Sequence, residues 1–271
     1  MQKGRAMENF IRIGALISGS GTNLEAILKA CETGGISGQV VFTGSDNPDA
    51  KGLQRAASRN IPTFVTDYGS IIKDYRANPQ PDKLPPDFDI EEARSKQSSF
   101  SPDADRKKKD PFLCTRAAAE ADLLANIRPY QFDLLVLAGF MRNLSPYFID
   151  RVNTDPDAPC IMNIHPALLP SFPGTDGYGD TFRYGCRVGG CTVHFIDYGE
   201  DTGPIIGQRC FAIDDADTLD DVKKNGLAEE WKLYPECIQL FAENRLRVVK
   251  MTHSLGKGKV YQRRVVKVVR G

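Results

Sequence analysis

Apolar positions along the chain keep two rhythms in alternation. Ile11–Ile17 is an almost unbroken apolar run that enters Ser18-Gly19-Ser20-Gly21-Thr22, the pattern of a buried strand passing into a glycine loop. Leu24, Ile27, Leu28 and Cys31 then recur at i, i+3, i+4 and i+7, which predicts a helix with Thr22 or Asn23 at its polar start. Residues 40–43 predict a second strand, 50–59 a second helix after the Asp46-Asn47-Pro48 turn, and 61–65 a third strand. Strands alternating with helices predict a parallel sheet. The rhythm lapses over residues 69–115, where 18 of 47 residues are charged and six are proline. That stretch is expected to be an insertion, mostly surface loop with a mobile tip. Helical spacing returns over 117–127, and 132–138 is apolar enough to predict a central strand. Further strands are expected at 160–165, 191–196 and 203–212. Leu227, Trp231, Tyr234, Ile238 and Phe241 form a stripe on the last helix that should face the sheet. Valines interleaved between 260 and 269 predict a terminal strand.

The expected architecture is therefore a single α/β domain at 1–251, with a doubly wound, mostly parallel sheet and helices on both faces. A basic tail at 252–271 follows; residues 254–271 hold Lys257, Lys259, Arg263, Arg264, Lys267 and Arg270 and no acid.

Composition changes this picture little. Apolar residues at 41% and aromatics at 9% are ordinary for a globular chain and exclude disorder throughout. The 35 Lys and Arg cancel the 35 Asp and Glu, so no net field recommends nucleic acid or an acidic membrane as a partner. An anion has to be caught locally. Cys31, Cys114, Cys160, Cys186, Cys191, Cys210 and Cys237 are odd in number and scattered, without a C-x-x-C pair, which fits neither a zinc framework nor a secreted disulfide scaffold. Residues 1–10 lack an apolar h-region, and no apolar stretch is long enough to span a bilayer, so a cytoplasmic location is expected.

Three stretches could carry chemistry. Gly19 and Gly21 let backbone approach closely at a helix start, where free N–H groups and the positive helix end suit a phosphate. No Lys-Ser or Lys-Thr follows, and Leu24 stands where a third glycine would complete G-x-G-x-x-G, so a phosphomonoester matches better than a dinucleotide. A strand-to-helix turn that binds nothing has the same signature. In the second stretch, Asn163-x-His165-Pro166 ends a strand at the edge where open parallel sheets place ligands. The histidine can exchange protons near neutral pH, and the amide on the same face of the strand can donate to a developing oxyanion. A half-buried histidine satisfied by a carbonyl is the bland alternative. Asp201, in the loop Gly199-Glu200-Asp201-Thr202-Gly203-Pro204, is the third; brought to His165 it would raise that ring's pKa and orient it, but sequence alone does not place it there.

In this order the elements resemble the formyltransferase family that uses 10-formyltetrahydrofolate. The shared stretches are Leu-Ile-Ser-Gly-Ser-Gly-Thr-Asn-Leu at 16–24, Leu-Ala-Gly-Phe-Met-Arg at 137–142, Asn-Ile-His-Pro-Ala-Leu-Leu-Pro-Ser-Phe-Pro-Gly at 163–174, Gly-Cys-Thr-Val-His-Phe at 190–195 and Asp-Thr-Gly-Pro-Ile-Ile at 201–206. The resemblance implies a catalytic trio of Asn163, His165 and Asp201. It implies contacts to glycinamide ribonucleotide (GAR) from Gly21, Thr22, Asn23, Pro166 and Glu230, with Glu230 on the ribose. It also implies a folate wall of Met141, Arg142, Asn143 and Leu144 together with Asn163. The reaction implied moves the formyl group of 10-formyltetrahydrofolate to the primary amine of GAR in purine synthesis, without a metal and without nucleic acid or membrane, in a monomer or homodimer. Methionyl-tRNA formyltransferase and formyltetrahydrofolate hydrolase share the trio but use other acceptors; the loop at 18–23 favours the small phosphate. A non-catalytic RNA-binding protein is a more distant alternative, opposed by the zero net charge. The sequence departs from the family in the insertion at 69–115, in Asp176 and Tyr178 within the loop 175–183, and in the basic tail.

Overall fold

A computed structural model describes residues 10–99, 105–256 and 258–270. Residues 1–9, on which most of the amino-terminal leader reading rests, and residues 100–104 of the expected insertion lie outside the described residues. Strands β1 (Ile11–Ile17), β2 (Gly38–Ser45), β3 (Thr63–Val65), β4 (Leu134–Leu137), β5 (Ile161–His165), β6 (Val188–Phe195) and β7 (Ile205–Ala212) form one sheet in the order β3-β2-β1-β4-β5-β6-β7. The first five run parallel; β6 pairs antiparallel with β5 and with β7. Strand order reverses between β1 and β4, which opens a crevice beyond their carboxyl ends.

The helices are α1 (Thr22–Glu32), α2 (Gly52–Ala57), α3 (Tyr68–Ala77), α4 (Ile90–Lys96), α5 (Arg106–Ile127), α6 (Pro146–Val152), α7 (Gly177–Arg183) and α8 (Leu219–Ala242), with a 3-10 turn at Pro81–Lys83. The sheet's period of two divides them. Ile11, Ile13, Ala15 and Ile17 of β1, with Leu134 and Val136 of β4, pack towards Leu24, Ile27 and Leu28 of α1 and Tyr234 and Ile238 of α8. Leu16, Leu135 and Leu137 point the other way, onto Tyr68 of α3, Leu123 and Ile127 of α5 and Phe148 of α6. The expected single-domain, doubly wound fold is thus present, with helices on both faces. No helix among the described residues is long and apolar enough to cross a membrane.

Four expectations need correction. The insertion is not mostly loop. Asp67 accepts from Ser70 N–H to start α3, Asp89 accepts from Glu91 and Glu92 N–H to start α4, and Asp105 caps a helix α5 that begins eleven residues before the expected 117. Residues 177–183, expected as part of the loop at 175–183, form α7. The boundary at 251/252 falls inside β8 (Leu246–Ser254), which pairs along its whole length with β9 (Val260–Val268) and sets Leu246, Val248 and Val266 against the core. The tail is the second strand of a hairpin. Finally, Trp231 is 42% exposed, because the face of α8 turned inward is Val222, Gly226, Glu230, Leu233, Tyr234, Cys237 and Ile238.

Candidate active site

His165 closes β5 at 2% exposure, and both ring nitrogens have partners. Nδ1 lies 3.2 Å from Oδ2 of Asp201, and Nε2 lies 2.8 Å from the carbonyl oxygen of Phe172. Two acceptors flank a ring that carries a single N–H when neutral, so the geometry favours the imidazolium electrostatically. Burial acts the other way and pushes the ring below its ordinary value, against the pull of Asp201 and of the Phe172 carbonyl. Burial would also raise the Asp201 pKa, yet the His194 ring, the charge of His165 and the Gly174 N–H, 2.8 Å from Oδ2, outweigh it and hold the carboxyl below its ordinary value. The loop reaches this position with Asp201 at φ 53, in the left-handed region where aspartate is among the better tolerated residues.

Asn163 stands two residues before His165 on β5, directly across from His194 on β6. Nδ1 of His194 donates to its neighbour Phe195's carbonyl at 2.9 Å, and Nε2 lies 3.3 Å from Asn163 Nδ2. The Asn163 amide carries two hydrogens, so at least one is available to an oxyanion. His194 Nε2 is also 3.6 Å from Oδ1 of Asp201. Asn163, His165 and Asp201 are brought together, and His194 joins them. Sequence reasoning missed His194 because its strand partner is set by the register of an antiparallel pair that no local pattern reveals.

These groups line a cavity of about 380 Å³ at the carboxyl ends of the strands. At one end Glu230, 4% exposed, accepts from Asn23 Nδ2 at 2.6 Å and from the Tyr178 hydroxyl at 2.7 Å. Burial pushes its carboxyl above the ordinary value and the two donors hold it down in part. Asn23 Oδ1 is buried and has no partner, and Asn23 lines the cavity. Pro166 lines the cavity with them. Gly21 and Thr22 sit at the start of α1 but do not border the cavity; Thr22 faces a separate surface groove beside Glu25, Lys29 and Trp231.

The other end is built by the loop after β4. Met141, Arg142, Asn143 and Leu144 all line the cavity, with Leu137, Ile164 and Ile196 adding apolar surface. The loop is tied to the glycine loop through Ser18 N–H donating to Gly139 at 3.0 Å and Met141 N–H donating to Ser18 Oγ at 2.8 Å. Arg142 turns its guanidinium to Asp46, which is 4% exposed, and over the Tyr68 ring at 5.5 Å. Asn143 Nδ2 donates to Glu200 at 3.2 Å, linking this loop to the one that carries Asp201.

A histidine, an amide and a carboxylate thus gather at the carboxyl end of an α/β sheet, and the chain belongs to the formyl transferase family, whose model, described as "Formyl transferase", matches residues 11–238. It is 32% identical to the phosphoribosylglycinamide formyltransferase of Escherichia coli (strain K12) over 238 residues, 88% of this chain and 90% of that enzyme. It is 30% identical to the enzyme of that name in Bacillus subtilis (strain 168), over 84% of this chain and 93% of the relative. Among solved structures it resembles glycinamide ribonucleotide transformylase 1 from Symbiobacterium toebii, with a TM-score of 0.67 and 34% identity over 97% of this chain and 95% of that one.

Proposed function

We propose that the protein transfers the formyl group of 10-formyltetrahydrofolate to the primary amine of GAR, a step of purine synthesis in the cytoplasm, acting as a monomer or homodimer without metal or nucleic acid. One observation carries the assignment of the site: Asn163, His165 and Asp201 converge midway along a cavity that has a buried polar cluster of Asn23, Tyr178 and Glu230 at one end and a largely apolar wall at 137–144 at the other. The polar end suits the ribose hydroxyls of GAR, which donate to Glu230. Backbone N–H groups at the start of α1 suit its phosphate. The apolar wall suits the flat pterin of the folate.

With the ligands so placed, the neutral amine attacks the formyl carbon, and a new N–C bond forms as the carbonyl oxygen gains negative charge. Asn163 Nδ2 and His165 stabilise that oxygen; His165 exchanges the Phe172 carbonyl for it. Asp201 keeps the imidazole charged while the oxyanion exists. Collapse breaks the bond to N10 of the folate, which takes up the proton that the amine loses. Purified protein supplied with GAR and 10-formyltetrahydrofolate should release tetrahydrofolate and formyl-GAR in equal amounts; a folded protein that releases neither would refute the function.

A further inference from the structure

The inserted segment and the carboxyl-terminal hairpin both reach the turn that carries Asp201. Within that turn Asp197 Oδ1 accepts from Gly199 N–H at 3.1 Å and from Thr202 Oγ1 at 2.6 Å, which closes the loop on itself. From outside, Ser98 N–H donates to the Tyr198 carbonyl at 2.9 Å. The two segments run so close that a Cβ on Gly199 would lie 2.9 Å from Ser98 Oγ. The Tyr198 hydroxyl donates to Oδ1 of Asp150 on α6 at 2.5 Å, and Lys96 Nζ, at the end of α4, takes Oδ2 of the same carboxylate at 2.8 Å. Helix α4 is itself secured to α5 by Arg94, whose Nε and Nη2 each lie 3.0 Å from an Asp110 oxygen. On the far side of the turn, Arg263 of β9 donates to the Thr202 carbonyl at 3.2 Å.

We propose that Lys96, Ser98 and Tyr198 form a strut by which the insertion sets the position of Asp201 against His165, making them positioning residues for formyl transfer. The proposal rests on the function given above. Tyr198 is three residues before Asp201, and the turn between them, Gly199 and Glu200, borders the cavity. An exposed turn held only by its own hydrogen bonds samples several conformers. The Nδ1 contact of His165, at 3.2 Å, tolerates little of that movement before the ion pair weakens. The half-buried Asp150 gives the turn a fixed point on α6, and the backbone bond from Ser98 gives it a second. Asp201, His194 and Glu200 act electrostatically on His165, so loosening the turn moves two of the three.

The test uses the full chain and two mild variants, Tyr198→Phe and Lys96→Met, with Lys96→Arg as the conservative replacement. The imidazole of His165 is titrated by NMR on protein without substrate, and kcat and KM for GAR are measured across pH. Both variants should titrate His165 at lower pH than the parent, because the upward pull of Asp201 weakens. Their kcat should fall about tenfold with KM for GAR within about twofold, and Lys96→Arg should restore most of both. If both variants keep the parent's His165 midpoint and kcat, whatever happens to their melting temperature, the strut is only structural and the proposal is overturned. Absence of turnover by the parent protein would instead defeat the functional reading, and the titration, which needs no substrate, still decides the strut.

Discussion

The Tyr178 hydroxyl and Glu230 Oε1 stand 2.7 Å apart in the buried end of the cavity, where the ring of Tyr178 lies over Gly226 so closely that a Cβ there would sit 2.2 Å from its Cζ. A carboxylate this enclosed is costly to keep ionised unless donors surround it, and Tyr178 is one of two. Tyr178→Phe should therefore raise the Glu230 pKa further. KM for GAR is expected to rise roughly tenfold, the equivalent of about 1.4 kcal/mol, with kcat within a few-fold. The loss should be worse at low pH. Steady-state kinetics from pH 6 to 9 would check it, and a KM that matches the parent at every pH would remove Tyr178 from substrate binding.

His165→Ala and Asp201→Asn act on charge that appears only in the transition state, so kcat should drop by about a thousandfold or more while GAR affinity changes a few-fold. Asn163→Ala should cost about 3 kcal/mol of the barrier, the usual value of one preorganised oxyanion donor. The direction of the pH effect follows from the partners of His165. In Asp201→Asn a neutral amide replaces the carboxylate, so the upward pull on the imidazole vanishes while burial remains. The residual activity of that variant should therefore fall off on the basic side at lower pH than the parent's, because the protonated ring is lost sooner as pH rises. Loss of GAR binding equal to the loss of kcat would show that these groups hold substrate rather than act on it.

Much of the fold was legible because apolar runs and helical stripes are local signals; β1, α1, β4 and β5 lie where the pattern put them. The insertion shows where reading failed. Tyr68, Ile71, Ile72 and Tyr75 have the full i, i+3, i+4, i+7 spacing of α3, but a boundary drawn at 69 on charge and proline content cut through it. In α8, stepping from Leu227 to Trp231 picks a stripe slightly rotated from the true one, which sets Glu230 beside the inward face when its buried carboxylate belongs to that face. Asn163 and His165 could be paired from strand alternation alone. Their neighbours could not. Asp201 arrives through a turn at positive φ, and His194 through strand register, both consequences of long-range packing.

Gly21 rests on α2, with φ 69 and a position where a Cβ would stand 2.7 Å from the Cα of Gly52. Gly52 N–H donates to the Gly19 carbonyl at 3.0 Å, and Arg55 Nε to that of Ser20 at 2.9 Å, so the glycine loop takes its shape from α2. Gly21→Ala should thus lower both stability and GAR affinity. Gly52→Ala is the sharper test. It adds a methyl group 3.0 Å from the Gly21 Cα and 2.5 Å from Ile17 Cδ1, outside the cavity, and should weaken GAR while leaving folate binding nearly unchanged. Titration calorimetry with each ligand separates the cases; unchanged GAR affinity in a folded Gly52→Ala protein would mean that the loop's shape does not matter to the acceptor.

Glu120 gives the fold a pH dependence of its own. The carboxyl is fully buried between α5 and the loop before α6, where Ser145 donates to it through both N–H, at 2.7 Å, and its hydroxyl. Burial nevertheless prevails and lifts its pKa from an ordinary 4.5 to about 7. Below the lower value the carboxyl is protonated in folded and unfolded chains alike, and stability is unaffected. As pH rises from there, the unfolded chain ionises first, so the folded state loses ground until about pH 7, above which both forms are charged and the full cost, on the order of 3 kcal/mol, remains. Glu120→Gln keeps the shape and an acceptor for the Ser145 N–H but cannot ionise. Its urea unfolding free energy should exceed the parent's by about 1–3 kcal/mol at pH 8, and the difference should shrink steadily towards pH 5. A difference that stays constant across that range would show that Glu120 does not titrate there, and that Ser145 holds it ionised throughout.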